Sequence, residues 1–316
     1  MPSAGRTPAH AVPPPGRVWS ALGAVYLIWG STYLAIRVMV EDVPPLLGAG
    51  LRFLLAGAVL LAVLGARRAP GTSPRVPAAQ LAAAALVGVL LPAGGNGLVT
   101  VAERDVPSGL AALLVASVPL WVVVLRAGVA RERVAGPTLA GVALGFAGVA
   151  VLLLPGARPD GATAAGVLLV LLAAVSWATG SFLSPRLTLP AHPLVNTGWQ
   201  MVAGGLALLA AGVAAGETGD VHVAAFSAAS VAAFAYLVVA GSLVAFTAYA
   251  WLLQHVPLSQ VSTYAYVNPL VAVLLGWAIL GESLAPASLA GAALVVAAVA
   301  LIVTRQTSVA SRNATR

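Results

Sequence analysis

The constraint that dominates this chain is a series of long apolar runs with almost no charge inside them. Crossing the hydrocarbon core of a bilayer takes about 20 apolar residues in α-helix, and ten stretches near that length are read along the sequence. They fall at about 18–38, 46–66, 79–102, 107–129, 137–154, 162–183, 196–215, 230–253, 258–280 and 286–304. Short breaks carrying proline, glycine or charge separate them, such as Glu41-Asp42-Val43-Pro44-Pro45 and Ala66-Arg67-Arg68-Ala69-Pro70. Hydrophobic residues make up 60% of the chain and charged residues 8%, against about a quarter charged in soluble domains. A water-facing exterior demands far more charge than that. The expected fold is an all-α membrane protein with ten transmembrane helices. The proline-rich arm (Pro8, Pro13, Pro14, Pro15) and the polar tail from Gln306 are expected to be disordered. A cleaved signal peptide is the competing reading of the start, but the first run is too long for one and holds Trp29 and Tyr33.

The net charge of +7 comes from 16 basic residues, all arginine, which form no patch of the kind nucleic acid requires. They cluster in alternate loops. With the N-terminus inside, the inner segments hold Arg6, Arg17, Arg67, Arg68, Arg75, Arg126, Arg131, Arg133, Arg186, Arg305, Arg312 and Arg316, and the outer loops only Arg104 and Arg158. Arginine bias sets orientation and acids count little, so both termini are expected in the cytoplasm. The outer loops carry Glu41, Asp42, Glu103, Asp105, Asp160, Glu217, Asp220 and Glu282 instead. There is no cysteine, which excludes disulfide and thiolate chemistry.

A shift of 150 residues lays the fourth and fifth runs on the ninth and tenth without a gap: Val106-Pro107 on Val256-Pro257, Pro119-Leu120 on Pro269-Leu270, Glu132 on Glu282, and Leu139-Ala140-Gly141 on Leu289-Ala290-Gly291. Trp29 and Trp177, each followed by small polar residues and an aromatic, give an earlier echo. Five runs per half is an odd number, so a second copy must enter the membrane inverted. The expected layout is a disordered cytoplasmic arm (1–17), a first five-helix repeat (18–154), a second inverted five-helix repeat (161–304) and a cytoplasmic tail (305–316). Inverted repeats are a construction of many secondary transporters, which hold substrate at mid-membrane between the halves.

Trp29-Gly30-Ser31-Thr32-Tyr33-Leu34-Ala35-Ile36-Arg37 followed by Leu51-Arg52-Phe53 resembles the opening of the EamA-type family of the drug/metabolite transporter superfamily. Gly95-Asn96-Gly97-Leu98, Val106-Pro107-Ser108-Gly109-Leu110-Ala111-Ala112-Leu113, Ser117-Val118-Pro119-Leu120-Trp121 and Ser262-Thr263-Tyr264-Ala265-Tyr266-Val267-Asn268-Pro269 are similar to its YedA-like exporter branch. The resemblance runs from about Val18 to Thr304. It implies a ten-helix carrier in two inverted halves around a central cavity, with export as the direction, and leaves the cargo unidentified.

An ionisable group in hydrocarbon is costly and points to function. No Asp, Glu or His falls near the middle of a run, and His10, His192, His222 and His255 lie in tails or near loops. Converging metal ligands and a base-assisted nucleophile are therefore absent from the pattern, and no metal, no cofactor and no enzymatic activity is expected. Glu132 and Glu282 flank their runs and are read as helix-end or loop partners. Arg37 is read as reaching outward to pair with Glu41 and Asp42, the alternative being a cationic vestibule. Arg52 lies deeper, and for it the same alternatives, snorkelling or a substrate-anion site, stay open.

Polar and aromatic side chains supply the expected cavity lining. In the ninth run Ser259, Ser262 and Tyr266 fall on one helical stripe, and Tyr264 and Asn268 on a second beside it. Lipid-facing helices avoid such stripes. Trp29, Ser31, Tyr33, Asn96, Ser176, Trp177, Thr179, Trp199 and Gln200 are expected to add rings and hydrogen bonds, the alternative for each being a helix-to-helix hydrogen bond. Pro119 and Pro269, at duplicated positions, are read as hinges. The function expected is secondary transport of a small organic metabolite or drug across the cytoplasmic membrane. A non-transporting receptor or scaffold on the same bundle is the alternative. The expected partners are a small-molecule substrate and the lipid bilayer, with a homodimer left open.

Overall fold

The structure, a computed structural model, describes residues 14–67, 71–154, 162–256, 258–282 and 286–314. The arm up to residue 13, together with Arg68, Arg158 and Asp160, lies outside the described residues. Among the described residues every regular element is helical. Eight helices are long and apolar enough to cross a membrane: α1 (Pro15–Met39), α2 (Pro45–Arg67), α3 (Ala78–Ala102), α4 (Ser108–Gly128), α5 (Gly136–Leu153), α6 (Ala164–Arg186), α7 (Pro193–Ala214) and α8 (Ala228–His255). Two shorter apolar helices follow, α9 (Tyr264–Leu280) and α10 (Pro286–Ile302).

Two sequence expectations are corrected. The ninth run is not one helix: a single turn, Leu258–Val261, is set off from α9 by a bend at Ser262 and Thr263. Thr263 Oγ1 donates to the Gln260 carbonyl at 2.6 Å and also meets the Tyr26 hydroxyl, a local side-chain bond that competes with the helix ladder. At the end of the chain, the helical backbone begun at Pro286 continues to Ala314. The stretch read as disordered from Gln306 holds no glycine or proline up to that point to stop it.

The helices are apolar on all sides because lipid, not water, surrounds them. Leu27, Val59, Leu168, Leu206, Leu274 and Trp277 are exposed and form part of that outer surface. Inside, α2 packs most extensively on α7 and α5 on α10, while α1 lies on α9 and α4 on α6. Helix α3 lies against α6 and α7, and α8 against α1 and α2. Both α3 and α8 contain a wide π-helical segment, Val89–Gly97 and Leu237–Val244. The first holds Pro92, which lacks the N–H of an ordinary helical turn.

Small residues set the closest helix approach, since lipid gives no hydrophobic drive for helices to associate. A Cβ on Gly205 of α7 would lie 2.6 Å from the Leu54 nitrogen and 2.8 Å from the Gly50 carbonyl of α2. One on Gly57 would lie 2.8 Å from the Gly198 carbonyl. Opposing backbone cannot yield there as a flexible side chain would. Gly205→Leu is therefore expected to destabilise the purified protein by about 1–3 kcal/mol, the usual cost of overpacking. Leu206→Ala, one residue away on the 53% exposed lipid face, should change the thermal unfolding midpoint little.

Candidate functional site

Seven helices line a cavity of about 140 Å³: α1, α2, α3, α4, α6, α8 and α9. It draws on both halves of the chain, while α5, α7 and α10 add nothing to its wall. Trp29 anchors one side through rings at 5.0 Å (Phe246), 5.1 Å (Tyr249) and 5.2 Å (Tyr264). Its indole N–H donates to the Gly241 carbonyl, in the π segment of α8, at 3.2 Å. Trp177 also lines the cavity and fills the space above Gly95, where a Cβ would lie 2.5 Å from the ring. Its neighbour Ser176 donates to the Leu90 carbonyl at 2.8 Å. A tryptophan-bearing helix thus rests on each π segment.

The polar groups of the wall are few. Arg52 is only 3% exposed. Its Nε donates to Ser242 Oγ at 3.0 Å and its guanidinium lies 4.7 Å above the Phe53 ring, and among the described residues no hydrogen bond engages its two Nη groups. Asn268 is buried and its Oδ1 has no hydrogen-bond partner among the described residues. Thr32, Tyr33, Asn96 and Tyr264 add further polar groups to the lining. A cavity of this kind offers a guanidinium fork for an anionic group, asparagine amides for a donor, and aromatic surface beside them.

Of the residues singled out from sequence, Trp29, Tyr33, Arg52, Asn96, Trp177, Asn268, Pro119 and Pro269 line this cavity. Ser31, Thr179, Gln200, Ser262 and Tyr266 do not. Ser31 bonds the Ile28 carbonyl and the Tyr236 hydroxyl, Thr179 the Val175 carbonyl, and Gln200 the Asn196 side chain. Tyr266 packs on the apolar cluster of Val106, Leu110 and Leu152. The bend at Ser262 and Thr263 breaks the helical phase that put Ser262 and Tyr266 on one stripe, and the Tyr264–Asn268 stripe faces the cavity instead. The two prolines differ in setting: Pro119 opens a new helical segment after a bend at Ala116 and Ser117, whereas Pro269 lies within α9.

At the ends of the bundle the carboxylates take partners that sequence separation conceals. Glu282 accepts the Ser108 and Gly109 N–H groups at 2.7 and 3.0 Å, Glu217 those of Leu46 and Leu47 at 3.1 and 2.9 Å, and Asp42 that of Ser227 at 2.9 Å. These are the unsatisfied donors at the starts of α4, α2 and α8. The bonds from Ser227 and Ser230 hold the Asp42 carboxyl below its usual range. Arg37 does not pair with Glu41 or Asp42, which corrects the sequence reading. Its Nη1 donates to the carbonyls of Glu103 and Arg104. At the other end Glu132 bridges Arg126 at 2.6 Å and Arg186 at 2.9 Å, and these partners hold its carboxyl below the usual range. Glu103, assigned from sequence to an outer loop, is fully buried. Its signal was faint: a glutamate immediately after an apolar run.

Two segments, residues 18–154 and 164–304, each match the EamA-like transporter family. The chain is 41% identical over 290 residues to the uncharacterized inner membrane transporter YedA of Escherichia coli strain K12, covering 90% of each protein. A probable amino-acid metabolite efflux pump of Salmonella typhimurium is 32% identical over 164 residues, 52% of each chain. A solved crystal structure, 23% identical, superposes with a TM-score of 0.60 over 90% of this chain and 96% of its own, a likeness of fold. A duplicated family match, an inner-membrane relative over nearly the full length and a polar cavity shared between the halves place this protein in the EamA-like transporter family.

Proposed function

We propose that the chain is an exporter of small, carboxylate-bearing organic solutes, built as ten membrane helices in two inverted five-helix repeats with both termini in the cytoplasm. The observation that carries the reading is the cavity between the halves, lined by the buried Arg52 and by Asn268, whose Oδ1 has no hydrogen-bond partner among the described residues. A buried polar group left so is costly, and a solute with a carboxylate for the guanidinium and a donor for the amide removes that cost. The volume has room for on the order of ten water-sized bodies, which suits a solute of amino-acid size rather than a bulky drug. The Salmonella efflux pump supports both the solute class and the direction.

Helix packing supports the inverted repeat. Exchanging each helix for the one five places along carries the most extensive helix contacts onto one another. The α2–α7 and α5–α10 pairs map onto themselves, α1–α9 maps onto α6–α4, and α3–α7 maps onto α8–α2. The π segments fall in α3 and α8, which are also equivalent by that exchange. The arginine distribution supports the orientation.

The binding reading is tested by counterflow in proteoliposomes, using a panel of radiolabelled amino acids and other small carboxylates. At least one is expected to exchange. Arg52→Gln should raise its KM by roughly 10–100-fold, the range for a lost charge-assisted hydrogen bond, and Arg52→Lys should recover only part of it because the fork is gone. An unchanged KM in Arg52→Gln would remove Arg52 from the site. Orientation is tested with an impermeant thiol reagent on intact cells, since the chain has no cysteine of its own. Asp220→Cys should label and Arg67→Cys should be protected. The opposite pattern would reverse the topology.

A further inference from the structure

We propose that Glu103 is the proton-binding carboxyl of the transport cycle, protonated while enclosed as in this structure and ionised when its end of the bundle opens to water. The proposal rests on the transporter reading and adds to it a second ligand, the proton. Glu103 directly follows α3, has no solvent exposure, and neither carboxyl oxygen has a hydrogen-bond partner among the described residues. Its N–H donates to the carbonyl of Val99, a cavity-lining residue one turn earlier, at 2.9 Å. The side chain therefore leaves the helix on the face that carries the cavity wall.

Charged and titratable groups face it from three places: Tyr33 and Arg37 on α1, Arg52 on α2, and Glu282 after α9. Arg104 and Asp105 adjoin it in sequence. Arg37 is committed to the backbone carbonyls of Glu103 and Arg104. Among the described residues the only ion pairs lie around Glu132. A buried carboxylate without a partner is costly enough that the group takes up a proton instead. Burial, and next the charge of Glu282, hold the Glu103 carboxyl well above the ordinary carboxylate range, and Arg37 and Arg52 draw it back.

A proton fits this place better than a metal cation. Two arginines face the carboxyl, and Arg37 already occupies its own carbonyl and the next one. Among the described residues no cluster of three or more metal-ligating side chains exists. The step balances simply: opening releases one proton from the carboxyl to entering water and leaves the carboxylate, and closure reverses it. Ser108 Oγ, also buried and without a hydrogen-bond partner among the described residues, adds a hydroxyl at the same end, beside Glu282.

Infrared spectroscopy of the full-length protein in phosphatidylcholine vesicles, titrated from acid to alkaline pH, tests this without any solute. A protonated-carboxyl carbonyl band is expected to persist at neutral pH and to be lost in Glu103→Gln. Glu282→Gln, which removes a neighbouring negative charge, should move the loss of the band to lower pH. Arg37→Gln should move it to higher pH. No protonated band at neutral pH, a band undiminished in Glu103→Gln, or its disappearance on adding sodium or potassium would overturn the proposal. Should Glu103→Gln fail to fold, the opposed shifts in the other two variants decide it, and shifts absent or of one sign refute it. Solute exchange with no such band would sink the proton site and leave the transporter standing. A titrating band without exchange of any solute would do the reverse.

Discussion

A polar group that this bundle removes from water is costly unless it finds a partner within the protein, because lipid offers none. The demand is sharpest where helices begin, since the first N–H groups of a helix have no carbonyl behind them and the positive end of the helix dipole lies there. Asp42, Glu217 and Glu282 meet it at the starts of α8, α2 and α4. Each of these contacts joins the first half of the chain to the second: Asp42 reaches 185 residues ahead, Glu217 170 residues back and Glu282 174 residues back. With only nine acidic residues in the chain, this use decides which of them are left for other tasks. The opposite end is tied differently, by Glu132 between Arg126 and Arg186, two half-exposed pairs that contribute little individually.

Most of the bundle was legible in the sequence because lipid imposes one simple rule, length of apolar run, and breaks in such runs are conspicuous. The start of α2 at Pro45 and the end of α3 at Ala102 fall within a residue or so of the apolar pattern. Legibility failed where a side chain overrides the backbone. Nothing in hydropathy separates Ser262 and Thr263 from the rest of the ninth run, yet the Thr263 bonds to Gln260 and Tyr26 bend the chain there. That bend is why Tyr264, rather than Tyr266, reaches the cavity beside Asn268.

The site was legible by residue type and only partly by position. Aromatic residues next to small polar ones identified Trp29 and Trp177, and depth in the run identified Arg52. Ser31, Thr179 and Gln200 have the same chemistry as true lining residues, but each satisfies itself within one or two helical turns or on a neighbouring helix, which sequence spacing cannot distinguish. Glu103 was hidden for the converse reason. Loop charges are ordinarily solvated, and only three-dimensional contacts show that Arg37 draws this short loop inward by its carbonyls and leaves the carboxyl without water.

The π segments explain why the cavity forms where it does. A wider turn leaves carbonyls out of the regular ladder and spreads the backbone, and such segments recur at functional sites. In α3 the Leu90 carbonyl takes Ser176 Oγ, and in α8 the Gly241 carbonyl takes the Trp29 indole. The glycines within them let the tryptophan helices settle against bare backbone, Trp177 on Gly95 and Thr32 on Gly241. Each half thus supplies a widened helix that seats a tryptophan helix of the other half. The two tryptophan rings of the cavity wall are held by contacts between halves, so a shift of one half against the other must move the walls of the site. Arg52 is bound by the same geometry, since Ser242, to which its Nε donates, belongs to the π segment of α8. The group best suited to hold an anion is thereby tied to a seam that alternating access would have to displace.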